Sequence, residues 1–214
     1  MTEFFALIRY FFSIEFRNRS HIVALLMFAW IVCYILYRVH PSLETTEFGY
    51  LYWLFLTLMS INVCLRSESH HAQEHRLYLY TLTDPVRLFL SKLVFNFCYL
   101  VFIYALFYFC FHIYFTEQVP FVLDFSLAIV MGAIAISASL TFVSTISKYA
   151  SGQNTLVSVL AIPLLLPIIM LLKGLSDEII LGESIEYAKF MTLAGLSAVS
   201  IAASMFLIPV IWKE

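Results

Sequence analysis

Hydrophobic and polar positions fall in long blocks along this chain. Between polar breaks run apolar stretches of roughly 18 to 25 residues, about the length a helix needs to cross the hydrocarbon core of a bilayer. The pattern predicts six such spans, at residues 22–39, 48–65, 93–115, 125–147, 155–172 and 188–212. Ahead of the first, residues 3–19 have an amphipathic helical period. Phe4, Phe5, Leu7, Ile8, Phe11, Phe12 and Phe16 recur at helical spacing, while Glu3, Arg9, Ser13 and Arg17 take much of the other side. A helix with an aromatic face and a basic rim is expected in the membrane interface; the other reading is that it extends the first span. A transmembrane barrel would alternate over segments of about ten residues, so the expected class is an all-α integral membrane protein.

The breaks have their own grammar. His40-Pro41 closes the first span, because a proline disfavours helix in the residue before it, and an acidic loop with Glu44 and Glu47 follows. Glu117, Pro120 and Asp124 mark the loop after span three, and Lys148–Asn154 is a short polar link into span five. Residues 173–187 are too short and acidic to span, and are expected to form an outer segment that dips back as a small amphipathic hairpin around Gly182.

The longest charged break is 66–92, RSESHHAQEHRLYLYTLTDPVRLFLSK, which carries four of the twelve Lys and Arg and three of the six His. Leu77, Tyr80 and Leu82 can face the membrane or the spans while Glu74 and Arg76 face water, the pattern of a helix lying on the surface. Asp84-Pro85 then reads as a second helix start, since Asp is a good N-cap and proline is tolerated at the first helical position. A surface helix, a turn and a helix feeding span three form a docking shape, with Glu68, Glu74, Arg76, Leu77, Tyr80, Asp84, Pro85 and Arg87 as the candidate contact residues. His70, His71 and His75, with Glu68 and Glu74, could instead be metal ligands. The HHAQEH spacing resembles one histidine box of membrane di-iron oxygenases, but such sites need about eight histidines from several boxes, so a solvated helix face is the preferred reading.

Composition sharpens the class. The chain of 214 residues is 62% hydrophobic and only 12% charged, against about 25% charged in a soluble domain. A net charge of −2 provides no basic field for nucleic acid. Cys33, Cys64, Cys98 and Cys110 lie in or at the ends of apolar runs without a CxxC spacing and read as buried thiols. No cleavable leader is expected, so span one also serves as the insertion signal. With six spans, nine of the Lys and Arg fall on the face of the termini and of 66–92; the opposite face has Arg38, Lys173 and Lys189 together with eight acidic residues. The positive-inside rule therefore places both termini and 66–92 in the cytoplasm.

No Asp, Glu, Lys or Arg lies inside the six predicted span interiors, which disfavours an ion-driven carrier. No GxxxxGK[ST] phosphate loop is present, so the chain is read as a non-catalytic subunit whose energy enters from another polypeptide. In span five, Pro163 and Pro167 are four apart; each removes a backbone hydrogen bond, giving either a flexible gating wall, with Asn154 at its start, or a kinked helix adapted to lipid. Small residues four apart, Ala128/Gly132, Ala133/Ser137 and Ala135/Ser139 in span four and Ala194, Ala198 and Ala202 in span six, allow close helix approach, within the chain or in a homodimer.

The order of these parts resembles the heme exporter B family, the membrane subunit of the cytochrome c maturation ABC transporter, an ABC-2-type permease. The closest local match is Asn154–Leu172, where Leu160-Ala-Ile-Pro163-Leu-Leu-Leu-Pro167 stands for the family's Leu-Pro-Leu and second proline. Pro85 and Leu90-Ser91-Lys92 before span three also fit. The layout covers nearly the whole chain; these motifs cover about a fifth of it. Members often carry a glycine before a leucine where this chain has Glu74-His75-Arg76-Leu77. The resemblance implies one permease domain over 1–214 in a bacterial inner membrane and a 66–92 coupling helix gripped by an ABC ATPase subunit. It further implies a homodimer within the complex, a membrane heme-handling subunit and a heme chaperone. ATP would act through the partner, and heme would be a handled ligand rather than a bound cofactor. The alternatives from the residues are an ABC-2-type permease for a lipid, polysaccharide or drug, and a membrane metalloenzyme using the 70–75 histidines.

Overall fold

The computed structural model describes residues 2–17, 19–40, 44–69, 84–115, 125–147, 153–182 and 186–211. Among them it is all helical: α1 (Thr2–Arg17), α2 (Arg19–Val39), α3 (Thr45–Ser69), α4 (Pro85–Tyr114), α5 (Phe125–Ser147), α6 (Gln153–Leu181) and α7 (Tyr187–Ile211). Among the described residues five stretches are long and apolar enough to cross a membrane: Ile22–Val39, Val86–Tyr114, Phe125–Ser147, Val159–Leu181 and Tyr187–Ile208. The chain is thus a multi-pass, all-α membrane protein. Helix α3 covers the expected second span but is not among the five. Its Tyr52 and Trp53 are fully buried in protein rather than facing lipid.

The helices run alternately up and down. Phe48 and Tyr52 near the start of α3 pack on Phe111 near the end of α4 and on Phe125 at the start of α5. At the other end, Cys64 of α3 reaches the Leu140 carbonyl of α5 at 3.7 Å, and Asn96 of α4 donates to Thr141 of α5 at 3.2 Å. Trp53 of α3 donates to Ser176 of α6, and Lys189 of α7 meets Glu178 of α6. The ends of α2, α4 and α6 and the starts of α3, α5 and α7 therefore share one end of the bundle, called the outer end after the sequence expectation; the opposite end, called inner, holds the two flanks of segment 66–92.

Helix α5 is the hub, packed against α3, α4, α6 and α7. Its small side chains permit this. Gly132, Ala128, Ala133, Ala135, Ser137 and Ser139 are all buried, so the small-residue pairs of this helix pack within the chain. Gly132 is obligatory in a specific sense: a Cβ there would lie 2.5 Å from two ring carbons of Trp53. On α7 the alanines behave differently. Ala198 and Ala202 are exposed, and the face turned to the bundle carries Leu193, Ser197, Ser200 and Ser204.

One boundary differs from the sequence expectation. The 173–187 stretch is not a separate outer segment up to its turn: α6 continues unbroken to Leu181, and the chain reverses at Gly182, whose φ of +70° is the left-handed geometry glycine adopts without strain. Its charges are tolerated because Lys173, Asp177 and Glu178 find partners at the bundle end. Helix α4 begins at Pro85 and runs 30 residues without a break into the expected span three, about 45 Å at a rise of 1.5 Å per residue, longer than a bilayer core. Helix α1 packs on the inner stretch of α4: Leu7 and Phe11 are buried, Phe11 and Phe12 meet Phe95, and Tyr99 donates to Glu15 at 3.2 Å. Phe5, Arg9, Phe16 and Arg17 remain exposed.

Candidate functional site

The docking segment expected from sequence is bounded by two described helix ends. Glu68 lies in the last turn of α3, and Asp84, Pro85 and Arg87 open α4. Asp84 occupies the N-cap position in extended conformation (φ −61°, ψ 129°), and Pro85 stands at the first helical position as expected. The Asp84 side chain makes no cap hydrogen bond; it faces the Arg87 guanidinium at 3.9 Å, and both are exposed. The Leu88 amide donates to the Asp84 carbonyl at 3.1 Å, closing the first turn. Glu74, Arg76, Leu77 and Tyr80, and with them His70, His71 and His75, lie outside the described residues. Among the described residues no three His, Cys, Asp or Glu are grouped as metal ligands.

Above these ends a polar column joins α3, α4 and α5. Tyr52 donates to the Tyr104 carbonyl at 2.8 Å. The Ser60 hydroxyl donates to the Leu56 carbonyl at 2.6 Å, so the 2.7 Å contact between Ser60 and Tyr104 is made by the tyrosine O–H donating to Ser60. Nearer the inner end stands Asn96 on Thr141. The bonds of Tyr52 to Tyr104, Tyr104 to Ser60 and Asn96 to Thr141 cross between helices where lipid offers no substitute partner. Lys92 and Ser91, about one turn before Asn96, are also buried, so α4 is seated in protein from its second turn on, while Asp84 and Arg87 at its start are exposed.

Both prolines of the expected gating helix lie within α6, which remains helical through them, and both are exposed on the outward side with Val159, Leu160, Ile162, Leu166 and Met170, save that Pro167 shares its turn with the buried Leu165 and Ile168. Asn154 sits in the first turn of α6. The inner side of the helix, Ala161, Leu165, Ile168 and Leu172, is buried.

The most organised charged group is one that sequence reasoning did not assemble. At the outer end Lys173 pairs with Asp177 one turn on and lies 4.4 Å from the Tyr50 ring centre, a cation–π contact from α6 to α3. Glu178 pairs with Lys189 of α7 and accepts from the Glu186 amide at 2.9 Å; Lys189 also reaches Glu186 at 3.3 Å. Gly49 of α3 lies under this cluster, where an added Cβ would stand 3.0 Å from Asp177 Oδ1. The Lys173–Asp177 spacing was readable as a helical pair. The Glu178–Lys189 pair spans the Gly182 turn and depends on α6 continuing to Leu181. Together the contacts clamp α3, α6 and α7 at the outer end. The four cysteines are thiols rather than disulfides; Cys33, Cys64 and Cys110 are buried.

No protein-family model, curated protein or solved structure matches this chain. The class rests on the fold itself: a multi-pass helical membrane protein with a clamped outer end and a polar column leading to its inner end.

Proposed function

We propose that the chain is the membrane permease subunit of an ABC transporter, with six crossings including α3, and that it serves heme handling in cytochrome c maturation. The observation that carries the coupling part is the arrangement around segment 66–92. Its two flanking helices, α3 and α4, pack on each other and on the same hub helix α5, with buried hydrogen bonds between them. A force applied to 66–92 by an ATPase partner would thus be delivered to the bundle through α3 and α4 together. The alternating run of the helices supports α3 as a sixth crossing: it begins among outer-end residues and ends among inner-end ones. An even number of crossings puts both termini with 66–92 on the cytoplasmic side by the positive-inside rule. The heme assignment rests on the resemblance of Asn154–Leu172 and of the overall layout.

In this reading Glu68, Glu74, Arg76, Leu77, Tyr80, Asp84, Pro85 and Arg87 form the ATPase contact, and α6 with Pro163 and Pro167 is the part that moves. Catalysis of ATP hydrolysis belongs to the partner, and the heme chaperone and heme-handling subunit complete the assembly. The test is co-purification: Glu74→Lys and Arg76→Glu should lose the ATPase while the protein still inserts at normal levels. Full retention of the ATPase by both variants would remove this face from the contact.

A further inference from the structure

A cavity lies between α3, α4 and α5 toward the inner end, walled by Ser60, Cys64, Asn96, Leu100, Ser137 and Leu140, with Val63 beside them. The centre of a water-sized sphere can move through about 10 Å³ of it, close to the roughly 10–15 Å³ that one water requires. Its wall residues are buried; Asn96 is 5% exposed and Ser60 and Ser137 1% each.

The hydrogen bonds around it decide what it can hold. The Thr141 hydroxyl donates to the Ser137 carbonyl at 2.6 Å, so toward Asn96 it can only accept, and the 3.2 Å contact must come from the Asn96 amide nitrogen. This fixes the amide orientation and turns Asn96 Oδ1 away from Thr141. That oxygen is buried and has no hydrogen-bond partner, a condition that costs about 1–3 kcal/mol unless a donor is supplied. The wall does not supply one: the Ser60 hydroxyl is committed to Leu56, the Ser137 hydroxyl to Ile134 at 3.1 Å, and the Cys64 thiol to Leu140. The remaining capacity of these groups is as acceptors.

A small, partly open pocket that is mostly apolar and whose polar groups offer only acceptors selects a small donor. The geometry points to a single-water binding site in which water donates to Asn96 Oδ1 and, with its second hydrogen, to a serine oxygen of α3 or α5. The site stands independently of the transport reading. It lies between the two helices that flank 66–92, so α3 and α4 are tied there by an exchangeable molecule. The pair can shift against each other by swapping water hydrogen bonds, without leaving a buried amide oxygen unpaired.

Synchrotron hydroxyl-radical labelling in ¹⁸O-water tests this on the intact protein in nanodiscs, because radicals formed from a bound water oxidise the side chain beside it. Cys64 is expected to take up label several-fold faster than Cys33, which is also buried but lies between α2 and α4. Asn96→Leu, which removes the acceptor, should bring Cys64 down to the Cys33 level. Equal labelling of the two cysteines in the unaltered protein overturns the proposal, and that comparison needs no variant to fold. Cys64 labelling that changes when sodium is replaced by N-methylglucamine also overturns it, because the occupant would then be a cation.

Discussion

Trp53 shows how a single residue organises this bundle. Its indole N–H donates to Ser176 Oγ at 2.7 Å, Ser176 donates its own proton to the Leu172 carbonyl at 2.8 Å, and the ring lies against Gly132. Three helices meet there in close contact. Gly132→Ala forces the ring out of place and should destabilise the fold by about 1–3 kcal/mol, the range for overpacking a filled core. Thermal unfolding in detergent checks it, and Trp53→Phe, which trims the ring, should recover part of the loss in the double variant. Ser176→Ala strands the indole N–H, and its cost should be smaller, about 0.5–2 kcal/mol, because hydrogen bonds inside membrane bundles contribute modestly. The sequence pointed to Ala128 and Gly132 as a close-approach pair, but not to the group that approaches, because Trp53 and Gly132 are far apart in the chain.

At the scale of elements, α6 carries the sharpest contrast between sequence and structure. Its apolar run ends at Leu172, so hydropathy stops the helix there; the last turns persist because Lys173, Asp177 and Glu178 have partners on α6, α3 and α7. Helix α5 was legible in the sequence, where the expected span and the described helix both cover 125–147, because an uninterrupted apolar run with small residues has few other readings. Helix α3 was legible as a helix, while its buried role was hidden by tyrosines and a tryptophan that also suit a membrane interface. Of the candidate site, the helix start was readable from Pro85 at the first helical position, although Asp84 makes no side-chain cap bond, whereas the outer clamp depends on contacts across a turn. The clamp makes a direct prediction. Glu178→Lys should loosen α6 from α7 and raise hydrogen exchange in the last turn of α6 and the first turn of α7. Adding Lys189→Glu should restore protection by reversing the pair. Exchange unaltered in the single variant would show that packing alone holds this end.

For the whole molecule, the proposed mechanism makes the outer end the fixed part and the inner end the driven part. Ionic and cation–π contacts join α3, α6 and α7 at the outer end, whereas α3 and α4 flank 66–92 at the inner end. If α6 is the moving part, Pro163→Ala together with Pro167→Ala restores two backbone hydrogen bonds and stiffens the helix. The double variant should unfold at a higher temperature yet lose transport-linked function in cells, scored as mature cytochrome c; retained function would assign both prolines to lipid adaptation. The central claim is that an ATPase partner drives this bundle in heme handling. Affinity purification of the tagged chain from its native membrane in mild detergent, with mass spectrometry of the co-purifying proteins, tests it most directly. The expected result is a small ABC ATPase together with heme-maturation proteins. An ATPase with unrelated neighbours would contradict the heme assignment, and recovery without any ATPase would contradict the permease itself.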